Sequence, residues 1–187
     1  MNSFKESFSA NYIYTEEQDS KGKLKKHYVY CGNWYCFCDS KKEKSSIKLR
    51  LILCEIIGLI SFILAGANET ELNKDKFLGL FVGLATIGLF VEIYGIVSFC
   101  VSKFYITGDD YKWIDGRIMW GAFFKSWLLM IGLVGAIAVN NIGLNDGFFG
   151  LLMYLLTIFM SFMIFRIQKK VTFHTFRNEN GKVGNEY

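Results

Sequence analysis

The chain has 187 residues, of which 52% are hydrophobic and 17% aromatic, and it contains no proline. So apolar a composition excludes a disordered chain, and the missing proline excludes proline-kinked helices and proline-rich linkers. The 21 basic and 17 acidic residues give a net charge of +4 and crowd into the ends and short connections of the chain. This segregation is typical of a polytopic membrane protein rather than a nucleic-acid-binding protein.

Residues 1–46 form a polar N-terminal segment that contains two β-prone runs, 27–31 and 34–38. The runs flank Gly32 and Asn33, and this pattern predicts a β-hairpin with a type II′ turn over residues 27–38. An earlier run, 12–14, adds a third strand in the alternative prediction, a three-stranded meander. Either sheet is too small to be stable alone, so we expect it to lie against the membrane surface or a connection between helices.

The predicted hairpin carries residue types that bind zinc, namely His27, Cys31, Cys36 and Cys38. Their H-x3-C-x4-C-x-C spacing lacks the C-x2-C pair of zinc knuckles. Cysteines two positions apart on a strand also lie about 6–7 Å from each other, too far for a compact tetrahedral site without a bulge. We therefore interpret them as packing thiols and expect no bound metal or cofactor, with a zinc, redox or acylation site as the alternative.

Four apolar segments follow, each with roughly the 20 residues that an α-helix needs to cross a hydrocarbon core about 30 Å thick. They cover residues 47–67, 77–101, 118–139 and 148–167. None alternates in the manner of a membrane β-strand. The sequence therefore predicts an all-α integral membrane protein, a four-transmembrane-helix bundle with a small cytoplasmic N-terminal β element and a cytoplasmic tail at 168–187.

Lysine and arginine are unevenly divided among the parts of the chain outside these segments. Ten lie in residues 1–50, three in 102–117 and five from residue 166 onward, whereas 68–76 holds two and 140–147 none. Because basic residues stay on the cytoplasmic side, both termini are predicted to be cytoplasmic. The short outer connections predict antiparallel hairpins of the first with the second helix and of the third with the fourth.

Residue usage gives a prediction of the source membrane. Lysine outnumbers arginine, and Phe, Ile, Tyr and Asn are common. We interpret this usage as that of an A+T-rich genome, which predicts a bacterial plasma membrane. Residues 1–46 lack the apolar stretch of a cleavable signal peptide, so we expect the first apolar segment to direct insertion.

Away from the ends of the apolar segments there are three charged residues: Glu55, Glu92 and Lys125. Helix rise places them about 8, 15 and 12 Å from the cytoplasmic ends of their helices, in a layer that Thr157 and Ser161 also reach. One charge in hydrocarbon costs about 2.5–3.5 kcal/mol on insertion scales, so opposite charges in one layer predict pairing inside the bundle. The layer is interpreted as a proton- or cation-binding site, as a structural ion pair, or as Lys125 and Glu55 extending to the interface.

Glycines mark two faces of the second apolar segment. Gly88 and Gly95 flank Glu92 on one face, which predicts close approach of a neighbouring helix. Gly79 and Gly83 form a GxxxG pattern on nearly the opposite face. Two small-residue faces predict that this helix is central in the bundle, or that one face packs against a membrane-protein partner or a second copy of the chain.

The connection 102–117 combines aromatic residues with three aspartates. Gly108 and the two aspartates after it predict a turn, and Tyr111, Trp113 and Trp120 are typical of aromatic anchors at a membrane interface. The aspartates alternatively bind a cation, although their spacing does not fit a calcium loop.

The sequence contains no P-loop, no zinc-protease or serine-hydrolase motif and no C-x-x-C pair. We therefore expect a non-enzymatic accessory, scaffold or regulatory subunit of a membrane assembly, which contacts the lipid bilayer and no nucleic acid. The alternative is a small proton- or cation-coupled transporter that uses Glu55, Glu92 and Lys125. The missing proline favours the first function, because transporters commonly build their sites from broken helices.

Overall fold

The structure, a computed structural model, describes residues 12–18, 24–30, 32–37, 40–140, 144–171 and 173–177. Helices dominate this part of the chain: α1 (Lys41–Ala67), α2 (Glu71–Lys74), α3 (Lys76–Val101), α4 (Gly108–Asn140) and α5 (Leu144–Lys170). All but the single-turn α2 are long and apolar enough to cross a membrane. The prediction of four helices of membrane-spanning length and composition is thus confirmed.

The helices begin at polar capping residues. The side chain of Ser40 accepts a hydrogen bond from the Glu43 amide at 3.1 Å, so α1 begins six residues before the predicted start at 47. α4 begins ten residues early, because Thr107 accepts from the Asp110 amide at 3.2 Å and donates to the Asp110 carboxylate at 2.8 Å. The predicted turn at Gly108 is therefore wrong, since these residues form the first turn of α4.

The four long helices follow one another around the bundle in the order α1, α5, α4, α3. α3 packs most extensively on α4, α1 packs on α5, and α4 and α5 are also in contact, whereas α1 and α3 share only a thin contact. The predicted hairpin of the third with the fourth long helix is therefore a packed pair. The predicted hairpin of the first with the second is not, because each finds a more extensive surface elsewhere. α3 consequently lies at one end of this order and is not central.

Lysines of α1 hold the end of α3. Lys44 Nζ donates to the main-chain oxygens of Ser102 and Lys103 at 2.9 and 2.6 Å, and Lys48 Nζ donates to the main-chain oxygen of Cys100. These carbonyls belong to the last turn of α3 and the two residues after it, where no further helical turn supplies N–H donors, and ammonium groups also stabilise the negative end of the helix dipole. α1 and α3 are thus joined at this end although they touch little along their length.

The strands form two separate sheets. β1 (Tyr12–Gln18) pairs with β2 (Leu24–Tyr30), and β3 (Asn33–Phe37) lies between β4 (Tyr105–Thr107) and β5 (Phe173–Arg177), all antiparallel. The predicted 27–38 hairpin is therefore wrong, because its two runs fall in different sheets. The earlier run does form a strand, but it pairs with β2 alone. The predicted tail, residues 168–187, supplies β5.

The hydrogen bonds of the Tyr30 hydroxyl explain why β2 and β3 belong to different sheets. Tyr30 Oη donates to the main-chain oxygen of Asn33 at 3.1 Å and accepts from the Gly108 amide at 3.0 Å. The chain after β2 is thereby fixed to the start of α4, where β4 is available as a partner for β3. Tyr35 of β3 then stacks on Tyr111 of α4, with ring centroids 4.5 Å apart.

The bundle has two apolar cores, one near each end. The core at the sheet end, where β3, β4 and β5 lie, is built around Leu51, Phe99 and Ile118. The core at the opposite end is built around Leu78, Leu129 and Tyr154. The charged residues of the predicted layer lie along the helices between these two cores, where they are shielded from water on both sides.

Candidate functional site

Three helices contribute the charged side chains of a buried cluster, Glu55 from α1, Glu92 from α3 and Lys125 from α4. Lys125 Nζ lies 2.5 Å from Glu92 Oε2 and 3.9 Å from Glu55 Oε2. Glu92 and Lys125 are 0% exposed and Glu55 is 7% exposed. The interpretation in which Lys125 and Glu55 extend to the interface is therefore wrong, because both side chains are buried in the bundle.

Glycines allow the cluster to form, because they bring the backbones of α3 and α4 into contact on both sides of the ion pair. A Cβ atom on Gly88 would lie 3.0 Å from the Lys125 main-chain nitrogen. A Cβ atom on Gly121 would lie 2.6 Å from the Glu92 main-chain nitrogen, closer than real Cβ atoms approach. Sequence reasoning missed Gly121, although its position four residues before Lys125 places it on the same helix face.

The four predicted packing glycines of α3 divide into two pairs. Gly88 and Gly95 face α4, and a Cβ atom on Gly95 would lie 2.9 Å from the Ile118 main-chain nitrogen. Gly79 and Gly83 have nothing within 4 Å of such an atom, so the GxxxG face is open in the described part of the chain. The first pair therefore sets the α3–α4 distance, whereas the second contacts no helix of this chain.

The cluster contains two carboxylates and a single ammonium group. The Lys125–Glu92 contact has the distance of an ion pair but not the angles of a hydrogen bond, and neither carboxylate accepts a hydrogen bond from any described residue. If all three groups are ionised, the cluster carries a net charge of −1. An unpaired buried charge costs several kcal/mol. The electrically neutral form of the cluster therefore holds one additional proton or cation.

The fourth helix, α5, completes the layer with two hydroxyl groups. Thr157 Oγ1 donates to the Met153 carbonyl at 2.9 Å and lies 3.4 Å from the Gly58 carbonyl of α1. Because α1 and α5 are antiparallel, one turn along both helices brings Ser161 to the level of Glu55. Ser161 is 0% exposed, and its hydroxyl has no hydrogen-bond partner among the described residues. Ser161 is therefore the polar group of the layer that remains available to a ligand.

An apolar groove of about 580 Å³ runs between α4 and α5 and reaches this hydroxyl. Its outer wall includes the exposed side chains of Trp127, Phe159 and Phe162. Its inner wall includes Ser126 and Ser161, and Ser126 is the residue after Lys125 of the cluster. The groove thus opens on the outer surface of the bundle and is lined by Ser161 of the polar layer, whereas Glu55, Glu92 and Lys125 are not among its lining residues.

The predicted metal-ligating residues do not form one strand face. His27 is a β2 position opposite Thr15 of β1, whereas Cys36 is buried in β3, in the other sheet. Cys31 and Cys38 lie outside the described residues. No group of three or more potential metal ligands is found among the residues that the structure describes.

The aspartates of the connection have separate roles. The Asp110 carboxylate pairs with the Thr107 hydroxyl in the cap of α4, and Asp115 accepts a hydrogen bond at 2.9 Å from Gln168 of α5. They therefore contribute to helix capping and helix–helix contact.

Comparison with protein-family models, with curated proteins and with solved structures finds no match to this chain. A function for the chain is therefore inferred from the geometry of the charged cluster and the groove beside it.

Proposed function

We propose that the chain is a small, non-enzymatic integral membrane protein that couples a proton on the Glu55–Lys125–Glu92 cluster to the movement of an amphipathic cation. The observation that supports this function best is that two buried carboxylates share one lysine. A structural ion pair needs a single carboxylate. The second one adds desolvation cost and gives the cluster one more negative than positive charge, so it holds a proton, and a cation that arrives at the cluster can displace that proton.

The membrane placement is supported by the surface of the helices and by the basic residues. Side chains on the outer faces of the bundle are largely apolar, among them Ile60, Leu80, Phe90 and Val134. Basic residues concentrate in residues 1–50, in residues 102–117 and from residue 166 onward. The positive-inside rule supports a cytoplasmic sheet end and cytoplasmic termini, and the A+T-rich residue usage supports a bacterial plasma membrane.

The thin seam between α1 and α3 provides a route for the proton. Glu55 comes from one of these helices and Glu92 from the other, and the two helices are joined by lysines at the sheet end. Glu55, the more exposed carboxylate, lies on the cytoplasmic side of the layer. Widening of this seam exposes the cluster without separating α3 from α4, so the glycine contact is kept during exchange.

The groove between α4 and α5 indicates the class of substrate. Aromatic side chains line it, and an aromatic face attracts a cation. The deprotonated cluster behind Ser126 and Ser161 adds a net negative charge. An apolar body with a positive charge matches both features, since the body fits the groove and the charge replaces the proton.

The bound proton is tested by infrared difference spectroscopy of the purified protein, which distinguishes a protonated carboxylic acid from a carboxylate. We expect a protonated carboxyl band at neutral pH that is lost in Glu55→Gln or in Glu92→Gln. Glu71→Gln is the matched control, because this exposed glutamate pairs with Lys74 in α2 at 2.8 Å. Absence of the band from correctly folded wild-type protein at neutral pH would contradict the proposal.

Coupling is tested by adding tetraphenylphosphonium, an amphipathic cation, to the protein in weakly buffered detergent solution. We expect proton release into the medium from wild type and Glu71→Gln and none from Glu92→Gln. In proteoliposomes, a pH gradient should drive accumulation of the same cation. A protonated carboxyl band without proton release or accumulation would reject this transport function and leave a structural proton.

That outcome would favour the second candidate function, an accessory or scaffold subunit. The specific observation in its favour is the open Gly79–Gly83 face of α3, which contacts no helix of the described chain. Disulfide formation by Gly83→Cys in native membranes, absent from Val134→Cys on the exposed outer surface of α4, tests whether this face meets another chain.

A further inference from the structure

A second pocket lies at the sheet end of the bundle, where α3, β4 and the first turns of α4 meet. Its volume is about 580 Å³. Its lining combines basic, aromatic and hydroxyl-bearing side chains, among them Trp34, Tyr94, Ser98, Lys103, Trp113 and Arg117. The pocket shares none of its lining residues with the groove between α4 and α5.

Arg117 is the main charged group of this pocket. Its guanidinium carbon lies 4.5 Å from the ring centroid of Tyr94 and 5.1 Å from that of Trp113. Among the described residues, Arg117 has these ring contacts and neither an ion pair nor a hydrogen bond. Two rings thus hold the planar guanidinium in place while its N–H groups stay free, an arrangement that suits a phosphate group.

Two further donors line the same pocket. The indole Nε1 of Trp34 is buried and has no hydrogen-bond partner in the described part of the chain. Lys103 is exposed and adds a second positive charge. Asp110 also lines the pocket, but its carboxylate accepts the Thr107 hydroxyl in the helix cap. The pocket therefore has an excess of positive charge and an unused N–H donor.

The wall of the pocket that α3 forms is largely apolar and exposed. It consists of Tyr94, Val97 and Val101, which lie on the exposed face of this helix. Trp113 is exposed as well, as an aromatic residue at a membrane interface would be. Phosphate-binding donors therefore lie beside a surface suited to hydrocarbon chains.

We propose that this pocket binds the phosphate of an anionic phospholipid, with Arg117 as its main ligand and Lys103 and Trp34 as further donors. The acyl chains lie along Tyr94 and Val101. The inference rests on the membrane placement proposed above, and not on the proton cluster. Anionic headgroups attract any basic side chain near the membrane surface, whatever its geometry. The feature that distinguishes a specific site from this general attraction is the guanidinium group held between two rings.

The test measures retention of phosphatidylglycerol by the full chain in detergent, by native mass spectrometry and by lipid titration of tryptophan fluorescence. We expect Arg117→Gln to weaken binding by about tenfold, as expected for loss of a charge-assisted hydrogen bond. Arg166→Gln is the matched control, because Arg166 lies at the same end of the bundle and over the ring of Phe162 at 6.0 Å. Trp34→Phe, which removes the N–H and keeps an aromatic ring, should weaken binding severalfold.

The variants and the phosphate competition distinguish a specific phospholipid site from general charge attraction and from a free-phosphate site. Equal losses for Arg117→Gln and Arg166→Gln would overturn the proposal, since binding would then follow overall charge. Inorganic phosphate that competes with the lipid at equal concentration would assign the site to a free phosphate instead. If Arg117→Gln fails to fold, Trp34→Phe decides, and unchanged lipid binding by that variant overturns the site. Glu92→Gln should bind the lipid normally, so failure of the proton cluster would be recognised separately.

Discussion

Replacement of Gly121 by alanine tests the closest backbone contact of the bundle. The added Cβ atom would lie 2.6 Å from the Glu92 main-chain nitrogen, whereas ordinary contact begins at 3.4 Å. α3 and α4 must therefore separate locally by about 0.8 Å, the difference between these two distances. A backbone atom cannot rotate away as a side chain can, so the whole α3–α4 contact takes up the shift.

The expected cost follows from overpacking in a close-packed interior. Such insertions destabilise by about 1–3 kcal/mol, partly offset by the helix propensity of alanine, about 1 kcal/mol better than that of glycine. We expect a net loss of about 0–2 kcal/mol for Gly121→Ala, and a stability about 1–3 kcal/mol below that of Gly79→Ala, which gains the same helix propensity without overpacking. The same shift lengthens the Lys125–Glu92 contact, so the protonated carboxyl band should change as well.

The assay is reversible unfolding of the purified protein in mixed micelles of increasing SDS content, followed by circular dichroism. Gly79→Ala is the control, because a Cβ atom there meets nothing within 4 Å. This control should be neutral or slightly stabilising. An equal change in stability in Gly121→Ala and Gly79→Ala would refute the close contact as the origin of the effect.

Three further predictions use the same unfolding assay. Lys125→Met should cost about 3–5 kcal/mol by leaving buried carboxylates unpaired, and adding Glu92→Gln should recover part of it; no recovery would contradict the pairing. Asn73→Ala should cost about 1–3 kcal/mol, because its amide in α2 donates at 2.6 Å to the main-chain carbonyls of Ala65 and Asn68 at the end of α1; a neutral result would exclude a stabilising role for these hydrogen bonds. Burial and the nearby Asp109 raise the pKa of Tyr30, whereas the hydrogen bond from the Gly108 amide lowers it. The stability from its protonated hydroxyl is present below the ordinary pKa of about 10 and is lost as the pH rises through the raised value. Tyr30→Phe should therefore cost about 1–2 kcal/mol at neutral pH and show a smaller alkaline loss than wild type, which a pH series would check.

The helices and the charged layer could be predicted because each depends on local properties of the sequence. An apolar stretch of membrane-spanning length has few alternatives to a helix, and the cost of burying Glu92 makes a partner such as Lys125 necessary wherever the helices pack. The early start of α4 was not predicted, because Gly108 and the two aspartates after it are typical of a turn. Thr107, as an N-cap, carried the missing signal.

Strand pairing and helix neighbours could not be predicted, because both depend on contacts between distant parts of the chain. The run that includes Tyr35 has a near neighbour in sequence, but its partners come from the α3–α4 connection and the tail. The α3–α4 contact depends on Gly121, whose small size becomes significant only against the backbone of Glu92. Arg117 likewise acquires its role only when Tyr94 approaches from another helix.

The central position of β3 has a consequence for the order in which the chain folds. This strand precedes the first long helix, whereas one of its partners, β5, follows the last. During synthesis the edge of β3 that pairs with β5 therefore stays unpaired until all four long helices have been made and their ends have come together. The three-stranded sheet can therefore be completed only after the helix bundle has assembled. A chain truncated after residue 171 would retain the helices but expose an unprotected strand edge, which invites pairing with other chains.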